Sequence, residues 1–292
     1  MKLMLICSAL ILILIIIWGS IYFSTSQVSN KEVSGTDFGN QIWSGEITVT
    51  GDVIILHNLE ILPGAIIKFK VQDDKKKGDE TPADGYNDLD PTRLESYTKT
   101  HSSLLVLGKL YAVGTPDKRI TFTSAAEKPS LADWEGLTPG GDGSRIEYPT
   151  IEWSRHGIGL GGKSTPNSVF SNNILRNTLW GALSLGDSSA QAYNNELYEC
   201  GHEGIDIQRG SPIIINNTVR ECHAGIVVLT GKPTIKNNRL INVSDGIFIA
   251  ESANAVLENN EVQPADPKTY SSKEWRYGNF AYRMFAQPKV YT

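Results

Sequence analysis

Cysteine is scarce in this chain: three occur in 292 residues. At most one disulfide can form, so cohesion rests on an apolar core and not on a covalent framework. A basic excess is missing too. The 27 Lys and Arg stand against 32 Asp and Glu, a net charge of −5. That balance argues against nucleic acid as a partner, because phosphate binding needs a positive surface. Helical periodicity is hard to find after residue 30. What the chain does have is 40% hydrophobic residues and 27 glycines, enough at this length for a sizeable core in one or two domains.

Charge is absent from residues 3–23, LMLICSALILILIIIWGSIYF. The run is long enough to span a bilayer and exceeds the apolar stretch of an ordinary signal peptide. No clear small-x-small cleavage site follows it. Lys2 and the terminal amine would stay in the cytoplasm, with Trp18 and Tyr22 near the outer interface. A transmembrane signal anchor is favoured over a cleaved signal peptide, and either exports the rest of the chain. Residues 27–40, QVSNKEVSGTDFGN, are polar and turn-rich and read as a linker.

The remainder is periodic. Asn pairs begin at Asn172, Asn194, Asn216, Asn237 and Asn259, with steps of 22, 22, 21 and 22 residues. Two positions before them come Phe170, Ala192, Ile214, Ile235 and Leu257; three after come Leu175, Leu197, Val219, Leu240 and Val262. A glycine then recurs at 181, 204, 225 and 246, followed by Ala182, Ile205, Ile226 and Ile247. Each coil therefore holds three short strand-like pieces separated by turns. One coil cannot bury its apolar positions, but stacked coils can. The first Asn of each pair is expected to lie above the previous one, its amide hydrogen-bonding along the stack as a structural ladder.

The repeat around residues 217–228 and 238–249 (NN-x-L-x-x-C/N-x-x-G-I-x-I in outline) resembles the right-handed parallel β-helix of the pectate-lyase-like superfamily. The phrases LEILPGAIIKF, LLVLGKLYAVGT and ITFTS…WEG are similar to the opening coils of secreted and surface microbial β-helix proteins. The resemblance covers about residues 41–262. It implies an all-β, single-stranded solenoid of about 22 residues per coil; the apolar run before it is read as a transmembrane helix and the segment after it as a cap. Residues 41–263 are the expected β-helix. The marks of the family's enzymes are missing: neither the NTD, G-H-G and R-I-K set nor W-x-D-H and R-x-P-x-x-R occurs. GIGLGGKS at residues 157–164 matches a phosphate-loop pattern formally, but Pro166 and the lack of a following helical pattern make it a Gly-rich turn.

Two pieces interrupt the stack. Residues 72–103 form a long polar insertion in which Asp84, Asn87, Asp88 and Asp90 offer hard oxygen ligands suited to calcium; a solvated acidic loop is the plain alternative. Residues 264–292 leave the repeat. Ser271 and Glu274 make a capping-box pattern, and Trp275, Tyr282 and Phe285 share a helical face, so the segment is expected to cap the last coil.

Candidate catalytic residues come from the repeat. Glu199 and Glu221 hold the same place in adjacent coils, with Cα atoms expected about 4.8 Å apart. Two carboxylates that close would raise one proton affinity and suit acid/base work on a glycan. His202 and His223 also stack, with Asp206 nearby. Cys200 and Cys222 stack as well, either as an inter-coil disulfide or, the favoured reading, as a reduced apolar pair. Leu183, Val227 and Phe248 are expected to point outward as an apolar stripe under the C-terminal segment. The reading of function is an extracytoplasmic scaffold or binding module for polysaccharide or cell-envelope glycan, at the cell surface or in the periplasm. A polysaccharide lyase, glycoside hydrolase or epimerase is the alternative.

Overall fold

The computed structural model describes residues 25–71, 101–160, 166–243, 245–265 and 289–291. The expected transmembrane run at 3–23, the calcium-ligand candidates Asp84, Asn87, Asp88 and Asp90 and the capping box at 271–274 lie outside these residues. Among the described residues no helix is long and apolar enough to cross a membrane.

The described chain is a stack of parallel strands wound into three faces. The first face runs through Val169–Ser171, Gln191–Tyr193, Ile213–Ile215 and Thr234–Lys236, paired in that order. The second runs through Ile174–Thr178, Glu196–Cys200, Thr218–Arg220 and Arg239–Val243. The third runs through Ile158–Gly159, Leu183–Ser184, Glu203–Ile207, Ala224–Val228 and Asp245–Ile249. The columns Phe170–Ala192–Ile214–Ile235 and Leu175–Leu197–Val219–Leu240 are in register, and all eight side chains are buried in one core. The period-2 alternation along each short strand is what sends these residues inward.

Sharp corners join the faces, and residue type follows from their backbone. The first Asn of each pair is left-handed, with φ of 57°, 57°, 56°, 55° and 54° at Asn172, Asn194, Asn216, Asn237 and Asn259. Asn tolerates that region better than most side chains. This corrects the expected ladder. Its members are the second residues of the pairs, because the corner turns the first ones toward solvent and the next ones into the wall. Asn195 Nδ2 donates to Asn217 Oδ1 at 2.8 Å, Asn217 Nδ2 to Asn238 Oδ1 at 3.0 Å, and Asn238 Nδ2 to Asn260 Oδ1 at 2.9 Å. Each oxygen also accepts the backbone N–H of the ladder residue one coil earlier, as Asn217 Oδ1 does from Asn195 at 3.0 Å. Corner backbone that would otherwise be buried unpaired is thereby satisfied.

The recurrent glycine marks the corner into the third face. A Cβ on Gly204 would lie 2.3 Å from Val219 Cγ1, and one on Gly225 would lie 2.7 Å from Leu240 Cδ1, so the backbone sits directly on the core there. Gly181 does not belong to this column: Leu183, not Ala182, pairs with Ile205. Leu183 is consequently a core residue, fully buried, and not part of an outward stripe. Val227 and Phe248 do occupy the outward column, after Ser184 and Asp206. They are covered, forming a small cluster with Ala224 and Ala250 apart from the main core.

The ends differ from expectation. Residues 27–40 are not a linker: β1 (Thr25–Asp37) pairs parallel with β2 (Asn40–Ile55). β2 contributes to all three faces of the next coil. A polar sequence can do this because strand pairing is satisfied through the backbone, while Val28 and Val33 pack on the core. The insertion is shorter than read, since His101 and Ser102 are already buried and the strand Ser103–Val106 follows. At the other end Lys289–Tyr291 adds antiparallel to Asp245–Ile249.

Candidate functional site

Two adjacent columns where the second face turns into the third gather the polar and aromatic side chains. Arg155 lies with its guanidinium carbon 5.4 Å from the centre of the Trp180 ring. The Trp180 and His202 rings stack at 5.5 Å and 24°, and His202 and His223 follow at 6.2 Å. Coil stacking sets this spacing, since Trp180, His202 and His223 take one place in three successive turns. The neighbouring column supplies acids. Arg155 Nη1 donates to both carboxylate oxygens of Glu135 at 2.9 and 3.1 Å. His202 Nδ1 meets Glu203 Oε1. His223 Nε2 lies 4.0 Å from an Asp245 oxygen. Asp206, between the core residues Ile205 and Ile207, points outward, where Oδ2 accepts from Ser184 Oγ and Gln208 Nε2, both at 3.1 Å.

The environment retunes these groups. Burial pushes the Asp206 carboxyl up to about 7, and the Glu203 charge adds to it; Gln208, Ser184 and His202 oppose. Burial likewise drives His156 down to about 3, helped by the Arg155 charge and by His202, so that ring is neutral. Burial raises Asp245 against the pull of His223.

The raised Asp206 proton has a consequence for stability. A carboxyl in an unfolded chain titrates near 3.9, and the folded value is about 7. Its contribution is therefore fully present below about pH 4 and is lost as pH rises toward 7, where the folded state binds the extra proton. Asp206→Asn is expected to flatten that slope and to unfold at higher denaturant than the parent at pH 8. Urea midpoints from pH 4 to 8 measure this; parallel curves for the two proteins would refute it.

Glu199 and Glu221 are not part of the cluster. Both are left-handed corner residues, φ 54° and 55°, in the place that Asn177 and Asn242 hold at 52° and 53°. Glu199 is exposed, and Glu221 lies 3.8 Å from Arg220. Their common place reflects a backbone corner. His202 lies 6.2 Å from His223, ring to ring, and its charge acts on Asp206. The residue missed is Glu203, side by side with His202 in GHEGID; its adjacency to His202, which it contacts, was the available signal.

Cys200 and Cys222 are free thiols in the core. Burial raises the Cys222 thiol well above its ordinary value, with Cys200 adding to it. They lie in the main core cluster, whereas His202 and His223 lie against Glu203 and Asp245. Among the described residues no group of three His, Cys, Asp or Glu is placed to hold a metal ion.

Residues 137–269 match the family described as the right handed beta helix region. Together with the parallel three-faced stack, this decides the architecture. The chain is a parallel β-helix repeat protein. The matched region contains nearly all of the site: Arg155, Trp180, His202, Glu203, Asp206 and His223 stand on four of the β-helix coils, and only Glu135 lies just before them. Searches of curated proteins and of solved structures return no match. The β-helix fold hosts many activities, so the function of this β-helix protein has to be read from the site.

Proposed function

We propose that the protein is a membrane-anchored, extracytoplasmic β-helix module that binds polysaccharide or cell-envelope glycan on its third face. The tether is read from the uncharged run at residues 3–23. One observation carries the ligand reading: the half-buried Trp180 ring, set between Arg155, which Glu135 engages, and His202, which Glu203 contacts. Saccharide recognition calls for apolar ring surface, here the part of the half-buried Trp180 that Arg155 and His202 leave uncovered, and for fixed acceptors for the sugar's hydroxyls. Strands about 4.8 Å apart repeat such groups along a rigid axis, which suits a ligand that is itself a repeat.

The full-length protein, purified and titrated against a panel of neutral and acidic polysaccharides, is expected to bind at least one of them. Trp180→Ala should weaken that binding by tenfold or more, while Tyr198→Ala, on the second face, should leave it within twofold. Failure of the parent to bind any member, or equal loss in both variants, would sink the proposal.

A further inference from the structure

We infer that the first face is a self-complementary surface on which a second copy of this chain docks, face to face and antiparallel, about a two-fold axis through Ile213. Phe170, Ala192, Ile214 and Ile235 are buried in the core, so the residues on either side of them point outward. One outward column runs in register through Val169, Gln191, Ile213, Thr234 and Val256. Its apolar members reach solvent: Ile213 is 38% exposed and Val256 54%. Tyr193 and Ile215, half-buried, stand beside them in the next outward column. An apolar patch of this kind on a flat sheet marks an interaction surface.

The order of the column names the occupant. Counted from Ile213 in either direction, it reads apolar, polar, apolar. A two-fold axis along the Ile213 strand reverses the stack and sets each column against itself, as an isologous contact requires. Ile213 then meets Ile213, Gln191 meets Thr234, and Val169 meets Val256. In the neighbouring column Ile215 meets Ile215, and Tyr193 meets Lys236, an ammonium against an aromatic face. A parallel pair would instead set the two columns against each other and bring Val256 onto Glu258, so the antiparallel pair is the better match. Charge does not oppose the contact, because Lys236 is paired with Glu258 and Arg145 with Glu147 within each copy.

The column spans about 19 Å, four steps of about 4.8 Å. A contact of that size suits a reversible pair and not a permanent dimer. β1 lies at one end of the stack, so the two N-terminal ends of the pair are on opposite sides. Copies tethered through residues 3–23, as proposed above, would meet across two facing membranes. The docking face is separate from the third face, and the pairing does not depend on the glycan reading.

Cysteine variants of the full-length protein in mild detergent, each carrying Cys7→Ser, test the register with a short bis-maleimide; Cys200 and Cys222 are buried and out of its reach. Ile213→Cys is expected to give several-fold more cross-linked dimer than Ile66→Cys, which is equally exposed at 38% but lies on the second face. Val169→Cys mixed with Val256→Cys should cross-link, whereas either alone should give little, since each then faces its own kind only from about 19 Å along the stack. Adding Ile213→Asp to both members of that mixture should remove the product, because two carboxylates would face each other across the axis, while the urea midpoint stays at the parent's. Equal cross-linking at Ile213 and Ile66, no gain on mixing, or a product that survives Ile213→Asp would overturn the antiparallel pair.

Discussion

Asn217→Leu is expected to be the most damaging single change in the repeat, and Asn216→Gly, one residue away, nearly silent. The Asn217 side chain is fully buried. Its Oδ1 accepts from the Asn195 backbone N–H and from Asn195 Nδ2, at 3.0 and 2.8 Å. Its Nδ2 donates to the Ala192 carbonyl and to Asn238 Oδ1, both at 3.0 Å. Leucine is similar in volume but strands these partners in the wall of the helix. A buried polar group left unpaired costs about 1–3 kcal/mol, so with several stranded at once the loss should be on the order of 4 kcal/mol or more. That is a large share of the 5–15 kcal/mol typical of a folded domain. Asn216 is exposed and left-handed at φ 56°, a conformation glycine adopts without steric cost. Urea midpoints for the two variants decide the matter; equal shifts would mean that the ladder does not carry the corner.

Deleting residues 264–292 is the second large effect. Lys289–Tyr291 occupies the free edge of Asp245–Ile249, pairing Phe248 with Val290 and Ile247 with Tyr291. A parallel stack that ends on an open strand invites pairing with other chains, and solenoids require a capped end for solubility. Val227 and Phe248, 2% and 1% exposed, stand on the outward column of this last region. The truncated chain should bind a hydrophobic dye several-fold more strongly and sediment as aggregate at concentrations where the parent is soluble. A soluble truncate with unchanged dye binding would show that the stack closes without this segment.

Both predictions depend on small offsets that a repeat conceals. Reading the Asn pairs as a period of about 22 residues is enough to give coils, strands and an inward column, because burial demands that apolar residues recur at one place per turn. It does not say which Asn of a pair faces in. That depends on which residue takes the left-handed corner, a choice made by the stacked backbone. The same limit moved Leu183 by one place: Gly181 looks like Gly204 in sequence, yet it pairs with Glu203, while Ala182 takes the Gly204 place.

The sequence by itself determined the architecture of this protein, its acidic balance and the chemical types that a repeat would align. His202 and His223 were predictable neighbours because equal positions in adjacent coils must stack. The tertiary structure alone decided which acids belong with them. Glu199 and Glu221 have the regular spacing, but the corner at φ 54° and 55° puts them at the outer turn. Glu203 and Asp206 have no acidic counterpart in the next coil, where Ala224 and Val227 hold their places. They become a site only because Ser184, Gln208, Trp180 and His202 close around them, and the burial and charge that shift the Asp206 proton exist only once the coils have stacked.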